Sequence, residues 1–426
     1  MRRAATLLLL SLPLLAQKPY DLLLKNGHVI DTKNNIDAIR DIAVKDHRIA
    51  AVASNIPADQ AGKVIDVKGL YVAPGLVDIH VHAYAGTGER SSYAGDLSLY
   101  PDGYTLRSGI TTVADAGSSG WRNFPDFKDR VIDRSTTRVL AFLNIVGSGM
   151  RGGAIEQNLA DMDAVATANR AKEYPGLIVG IKTAHYAGPE WIPVERAVAA
   201  GTLANIPVMV DFGTFRPERP YQELVLKKLR PGDISTHMYI GAVPMLDDNQ
   251  KLLPYLAEAR KRGVVFDVGH GGGSFLFRQA VPAVQQGWIP DSISTDLHVT
   301  SMNAGMKDIL NLMSKFLNMG QSVQSVIAET TSHPAREIKQ ENLGNLSVGA
   351  PADIAVLRLV HARPGESFGF VDSSGARMSG ALKLDCELTV KNGLVVYDLN
   401  GISREDWKKL DRRYKGQGDK SWDGTR

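Results

Sequence analysis

The middle of the chain alternates short apolar runs with amphipathic stretches, and this regular beat constrains the fold more than any other feature. The apolar runs fall at residues 75–82, 111–116, 139–146, 177–183, 207–212, 233–238, 264–268 and 292–297. Helix-like stretches intervene, for example at 190–203, 249–262 and 304–318, and the region 302–338 reads as mainly helical. Strands that are nearly all apolar are buried on both faces. Strands alternating with helices form a parallel sheet. Eight such units spread over residues 74–342 match a (β/α)₈ TIM barrel, typically ~250 residues long, better than an open sheet. The predicted class is α/β.

The flanks read differently. Residues 21–25, Asn26-Gly27 and residues 28–31 give a strand, a turn and a strand. Residues 41–45 and 48–52 flank a second tight turn at Asp46-His47. The far end echoes this: Leu388-Thr-Val-Lys-Asn-Gly-Leu-Val-Val-Tyr397 is similar to Leu23-Leu-Lys-Asn-Gly-His-Val-Ile30, and Asp353-Ile-Ala-Val-Leu357 to Asp41-Ile-Ala-Val-Lys45. Both ends together are expected to build one small β-sandwich domain, residues 18–73 with 343–402, followed by a tail at 403–426.

Several classes are set aside by composition. Net charge is +3, and the clustered positives, Lys408-Lys409 and Arg412-Arg413, lie near the C-terminus. Without a basic face interleaved with aromatics, a nucleic-acid partner is not expected. The single cysteine, Cys386, excludes an intramolecular disulfide and a Cys-rich zinc site. At the N-terminus, Arg2-Arg3 precede an apolar run ending at Ala16, too short for a bilayer span of ~20 residues. Residues 1–16 have the layout of a secretory signal peptide, though Leu14 is larger than the usual residue at that point of a cleavage site. Export to the periplasm or medium is expected, with no stable membrane span after its removal. The tail after Gly401 offers a surface for homo-oligomer packing.

Chemistry is concentrated in histidine. Of ten histidines, His80, His82, His185, His237, His270 and His298 sit at or just past the C-terminal ends of expected strands. That rim is where a barrel of this kind carries its active site. His80 and His82, two apart on one strand, project from the same face. Two imidazoles on one face suit zinc or a similar metal.

In full, the first-strand segment is Val72-Ala-Pro-Gly-Leu-Val-Asp-Ile-His-Val-His82. It resembles the first-strand signature of the amidohydrolase superfamily, the group that includes dihydroorotases, dihydropyrimidinases and many deacetylases. Later strands agree in order: Gly180-Ile-Lys182, Asp233-Ile-Ser-Thr-His237, Phe266-Asp-Val-Gly-His270 and Ser292-Ile-Ser-Thr-Asp296. The pattern is most similar to the deacetylase-like, dihydroorotase-related branch, over residues 20–397. The resemblance implies a carbamate on Lys182 bridging two divalent metal ions, with zinc expected and manganese or iron also suited. It implies metal ligation by His80, His82, Lys182, His237 and Asp296, catalytic proton transfer by Asp296, and substrate contact by His270. A buried lysine favours its neutral form, which can take up carbon dioxide. The plain alternative is an ion-paired structural lysine.

One position departs from the pattern. The family supplies a histidine on strand five, where this chain has Asp211 in Ile206-Pro-Val-Met-Val-Asp-Phe-Gly213. A carboxylate still binds zinc. Two divalent ions with a carbamate, Asp211, Asp296 and hydroxide sum to zero, against +1 with a histidine, which weakens the pull on a substrate anion. Alternatively Asp211 is not a ligand and one ion binds tightly.

The expected reaction is hydrolysis of an amide or ester bond in a small acylated substrate. The alternatives are a cyclic-amide hydrolase, an N-acyl-amino-acid deacylase, a lyase or isomerase using the same site, and a non-enzymatic scaffold. Arg151, in Ser148-Gly-Met-Arg-Gly-Gly153, is a candidate bidentate clamp for a substrate carboxylate, or else a solvated loop arginine.

Overall fold

The structure, a computed structural model, describes residues 18–413. The signal-peptide reading of residues 1–16 and the end of the tail lie outside them. Among the described residues no helix is long and apolar enough to cross a membrane.

The first five strands are β1 (Tyr20–Asp31), β2 (Ile36–Lys45), β3 (Arg48–Ala53), β4 (Ala61–Asp66) and β5 (Tyr71–Pro74). The expected hairpin across Asn26-Gly27 does not form; β1 is one continuous strand. Asn26 takes the left-handed conformation (φ 65°) and the register against β2 shifts between Leu24 and Gly27, so Lys25 and Asn26 together face Asp41 as a bulge. The bulge is fixed from outside the strand: Asn26 donates its backbone N–H to Asp41 Oδ1 at 2.9 Å and its amide to Asp66 Oδ1 at 3.0 Å. The Asp46-His47 turn does join β2 to β3, both residues left-handed as a two-residue hairpin demands.

Seven parallel strands follow: β6 (Leu76–Val81), β7 (Ile110–Gly120), β8 (Arg138–Asn144), β9 (Ile178–Thr183), β10 (Val208–Val210), β11 (Ile234–Ser235) and β12 (Val265–Phe266), each paired with the next. Val77, Ala114, Phe142, Val179, Met209 and Ile234 form one buried cluster across six of them, as barrel-filling side chains do. Helices pack between strands. The helix Ile309–Asn318 starts where the Asp308 carboxylate accepts the Asn311 N–H, and it buries most of its length.

The eighth expected strand, 292–297, is not a ladder strand, yet it closes the barrel. It bridges β12 through Asp267 and Ser292 and β6 through Val81 and Leu297, both in parallel sense. Its extended course is broken by Asp296, at φ 50°. The result is a (β/α)₈ barrel closed by single bridges at this seam.

The chain ends meet in the other sheet. After β13 (Ile354–His361) come a small separate hairpin, β14 (Phe368–Val371) and β15 (Arg377–Gly380), then β16 (Leu382–Lys391) and β17 (Leu394–Asp398). The order β17-β16-β13-β5-β1-β2-β3, with β4 beside β1, joins both ends in one eight-stranded sheet. Ile49 from one edge and Val395 from the other share an apolar core with Leu24, Val72 and Val356, so the sheet folds over itself as a sandwich. Asp353 ties this unit to the barrel, 2.6 Å from Arg138 Nη1 and 3.1 Å from Lys391 Nζ.

Candidate metal centre and cleft

The strands that reach the barrel mouth end in an unusual backbone. His185, His237 and Asp296 are left-handed, at φ 58°, 59° and 50°. Non-glycine residues held there cost about 1–3 kcal/mol each and cluster at functional sites. Here the turn breaks each extended segment at a polar side chain of the mouth. Gly269 and Gly271 (φ 47° and 51°) bring backbone equally close: a Cβ on Gly271 would lie 2.3 Å from Asp296 Oδ2, and one on Gly269 2.3 Å from Thr236 Oγ1.

His80, His82 and Asp296 converge, with one donor atom from each inside a 4.8 Å group. Asp296 Oδ1 lies 3.1 Å from His82 Nε2 and 3.6 Å from His80 Nε2. That oxygen is buried and has no hydrogen-bond partner. A buried carboxylate oxygen left unbonded is costly unless a cation completes it, and this donor set suits zinc. The rings are aimed from behind. His80 Nδ1 meets Thr236 Oγ1 at 3.0 Å and His82 Nδ1 meets Ser118 Oγ at 2.9 Å. Thr236 in turn donates to Asp267 Oδ2, which also accepts from Ser294. Burial, then the Lys182 charge, pushes the His80 pKa well below the imidazole range, so the ring stays neutral and its Nε2 faces the mouth beside Lys182 Nζ. Burial would raise the Asp296 carboxyl, but the His82 contact and the neighbouring imidazoles hold it below its ordinary value.

Lys182 ends β9 fully buried, its Nζ 3.1 Å from His80 Nε2 and 3.4 Å from Met209 Sδ. Burial lowers its pKa against the pull of Asp211 and Asp296. Among the described residues no carboxylate oxygen lies within 4.0 Å of its Nζ.

Asp211 sits between two imidazoles, its Oδ2 3.5 Å from His237 Nε2 and 3.3 Å from His185 Nε2. Burial would raise this carboxyl; His237 and His185 outweigh it and hold it far below the usual range. His237 is oriented through Nδ1 by Gly269 O at 2.6 Å, and His185 through Nδ1 by the buried Glu156 at 2.8 Å. Burial opposes the His185 charge, but Glu156 and Asp211 raise its pKa to about 9.

Two expected substrate contacts lie elsewhere. His270 is fully buried, stacked on Phe275 at 4.6 Å and bonded to Lys315 Nζ at 2.7 Å, because the turn through Gly269 and Gly271 folds its ring beneath the cleft. The backbone at Gly272 and Gly273 lines the cleft instead. Arg151 pairs with Glu89 and is not among the lining residues. The cleft, about 520 Å³, opens above Asp211, His237 and Asp296, with Tyr93, His185 and His298 as walls. His185 and His298 carried the strand-end signal. Tyr93, 4.2 Å from the His82 ring, and Glu156 come from loops without a motif.

A fold and site of this kind define a metal-dependent hydrolase working at a barrel mouth. No family model matches the chain. It is 35% identical over 335 residues to a deacetylase of Brucella anthropi, covering 76% of this chain and 81% of that protein. Its fold superposes on the crystal structure of an adenine deaminase with a TM-score of 0.80 at 29% identity, covering 89% of this chain and 100% of that one. A dihydroorotase structure gives 0.75 at 30% identity, covering 88% and 99%. The chain belongs to the deacetylase-like, dihydroorotase-related branch of the amidohydrolase superfamily.

Proposed function

We propose that the mouth holds two divalent ions, zinc foremost, and hydrolyses the amide or ester bond of a small acylated acid. His80, His82 and Asp296 would hold one ion, Asp211 and His237 the other, with a carbamate on Lys182 shared between them. The observation that carries this is the buried, unbonded Asp296 oxygen facing the His80 and His82 imidazoles. Ions held there would polarise the carbonyl and make water nucleophilic at neutral pH. Burial lowers the Lys182 pKa and so favours the neutral amine that adds carbon dioxide. Asp296 would take the proton lost by the attacking water and return it to the leaving nitrogen or oxygen as the acyl bond breaks. For Arg151 to clamp a substrate carboxylate, it must first release Glu89.

The name of the Brucella relative favours removal of an acetyl group. The likeness to a dihydroorotase supports a second reading, opening of a cyclic amide. Zinc-loaded protein incubated with N-acetyl amino acids, O-acetyl hydroxy acids and dihydroorotate separates them. Acetate release supports the first reading, ring opening the second, and turnover of none of these classes overturns both. The arginine-led apolar leader favours export, which fractionation of expressing cells tests.

A further inference from the structure

On the two-ion reading, we infer that His185, from the loop after β9, is a direct ligand of the second ion, supplying the imidazole that the fifth strand lacks. Asp211 stands where the family carries a histidine. The same Asp211 oxygen faces His237 Nε2 at 3.5 Å and His185 Nε2 at 3.3 Å. With zinc bonds of ~2.0–2.1 Å, neighbouring ligand atoms of a tetrahedral site lie about 3.3 Å apart. The oxygen-to-nitrogen distances of the first set are similar, 3.1 and 3.6 Å, though among the described residues only that set has all three donor atoms within 4.8 Å of one another.

The orientation of the ring agrees. In His80, His82 and His237, Nδ1 is engaged by an outer partner and Nε2 is left for the mouth. His185 follows the same rule, with Glu156 Oε2 on Nδ1 at 2.8 Å. A buried carboxylate behind an imidazole fixes the tautomer and raises the basicity of a metal-bound histidine. The backbone agrees too, since His185 shares its left-handed turn with His237 and Asp296. Asp211 Oδ1 accepts the Gly213 N–H at 3.1 Å, which leaves Oδ2 to the imidazoles. His298, the remaining wall histidine, has its Nε2 4.0 Å from Asp296 Oδ2, beyond the ligand-atom spacing, so it serves as the control.

The test is metal content and cobalt spectroscopy of the full chain, with far-ultraviolet circular dichroism to check folding. Wild type should hold two zinc ions per chain. His185→Ala and His185→Gln should hold about one, and the weaker step of a cobalt titration should shift by tenfold or more, with altered visible absorption. Glu156→Gln should weaken that step about 10–100-fold, and His298→Ala should leave it unchanged. His185 variants that keep two ions, the same titration and the same spectrum overturn the assignment while the two-ion reading stands. Fewer than two ions in wild type overturns the two-ion reading itself, and the assignment with it. If both His185 variants misfold, Glu156→Gln decides alone: an unshifted cobalt titration overturns the assignment.

Discussion

Lys182 Nζ lies 3.1 Å from His80 Nε2, a cation-forming group beside a neutral imidazole in a fully buried place. In an ordinary core this pair would be a defect. In a barrel mouth ringed by Asp211, Asp296 and four histidines it is a place prepared for charge to enter as cations.

Lys182→Ala should therefore do more than relieve a buried amine. On the proposed two-ion reading, the lysine's carbamate is lost with it, and bound zinc should fall below two ions per chain. It should also lower kcat/KM by at least about 100-fold, the scale of losing one preorganised electrostatic element. Metal analysis and steady-state kinetics on the same preparation check both. Unchanged values would exclude the carbamate.

Asp296→Asn keeps the shape of the carboxylate but not its basicity. We expect kcat to fall by ~10²–10⁴, the range for a positioned proton-transfer group, with circular dichroism unchanged. A loss confined to KM would assign Asp296 to binding alone.

The strand ends are legible because metal chemistry needs particular residue types at fixed spacing. Strand alternation puts His80 and His82 on one face, and the segment before them carries the family resemblance, which in turn points to Lys182, His237 and Asp296. What the sequence hides is backbone curvature. Asn26-Gly27 and Asn392-Gly393 are the same dipeptide between apolar strands, yet the first bulges one strand and the second turns a hairpin. Asp41 and Asp66, distant in sequence, make the difference. His270 looked like a cleft residue because its neighbours are, but the glycines flanking it turn its ring into the core. Glu156 carried no signal, since a lone glutamate in a loop says nothing until the fold sets it behind His185.

Gly271→Ala tests that curvature. The added methyl meets Asp296 Oδ2 at 2.3 Å, and φ is 51°. We expect a cost of about 1–3 kcal/mol in stability and a larger proportional loss of activity. Urea unfolding and kinetics together check this; a fully active variant would show that Asp296 tolerates displacement.

The tie between sheet and barrel has a pH signature. Burial would raise the Asp353 carboxyl, but Lys391 and Arg138 hold it below 3.8. A depressed carboxyl contributes stability above its unfolded value and loses it as pH falls through the folded one. Wild type should thus weaken below about pH 4, and Asp353→Asn should flatten that part of the profile. Near neutral pH the variant should lose about 3–5 kcal/mol, because the buried Lys391 ammonium loses its partner. Urea midpoints across this pH range measure both effects.

Anomalous diffraction at the zinc edge, on crystals of protein never exposed to chelators, tests the central claim most directly. We expect two peaks in the barrel mouth, one within bonding distance of His80, His82 and Asp296, and continuous density joining Lys182 Nζ to a planar carboxylate. A mouth without any anomalous peak, in crystals soaked with zinc, would contradict the account.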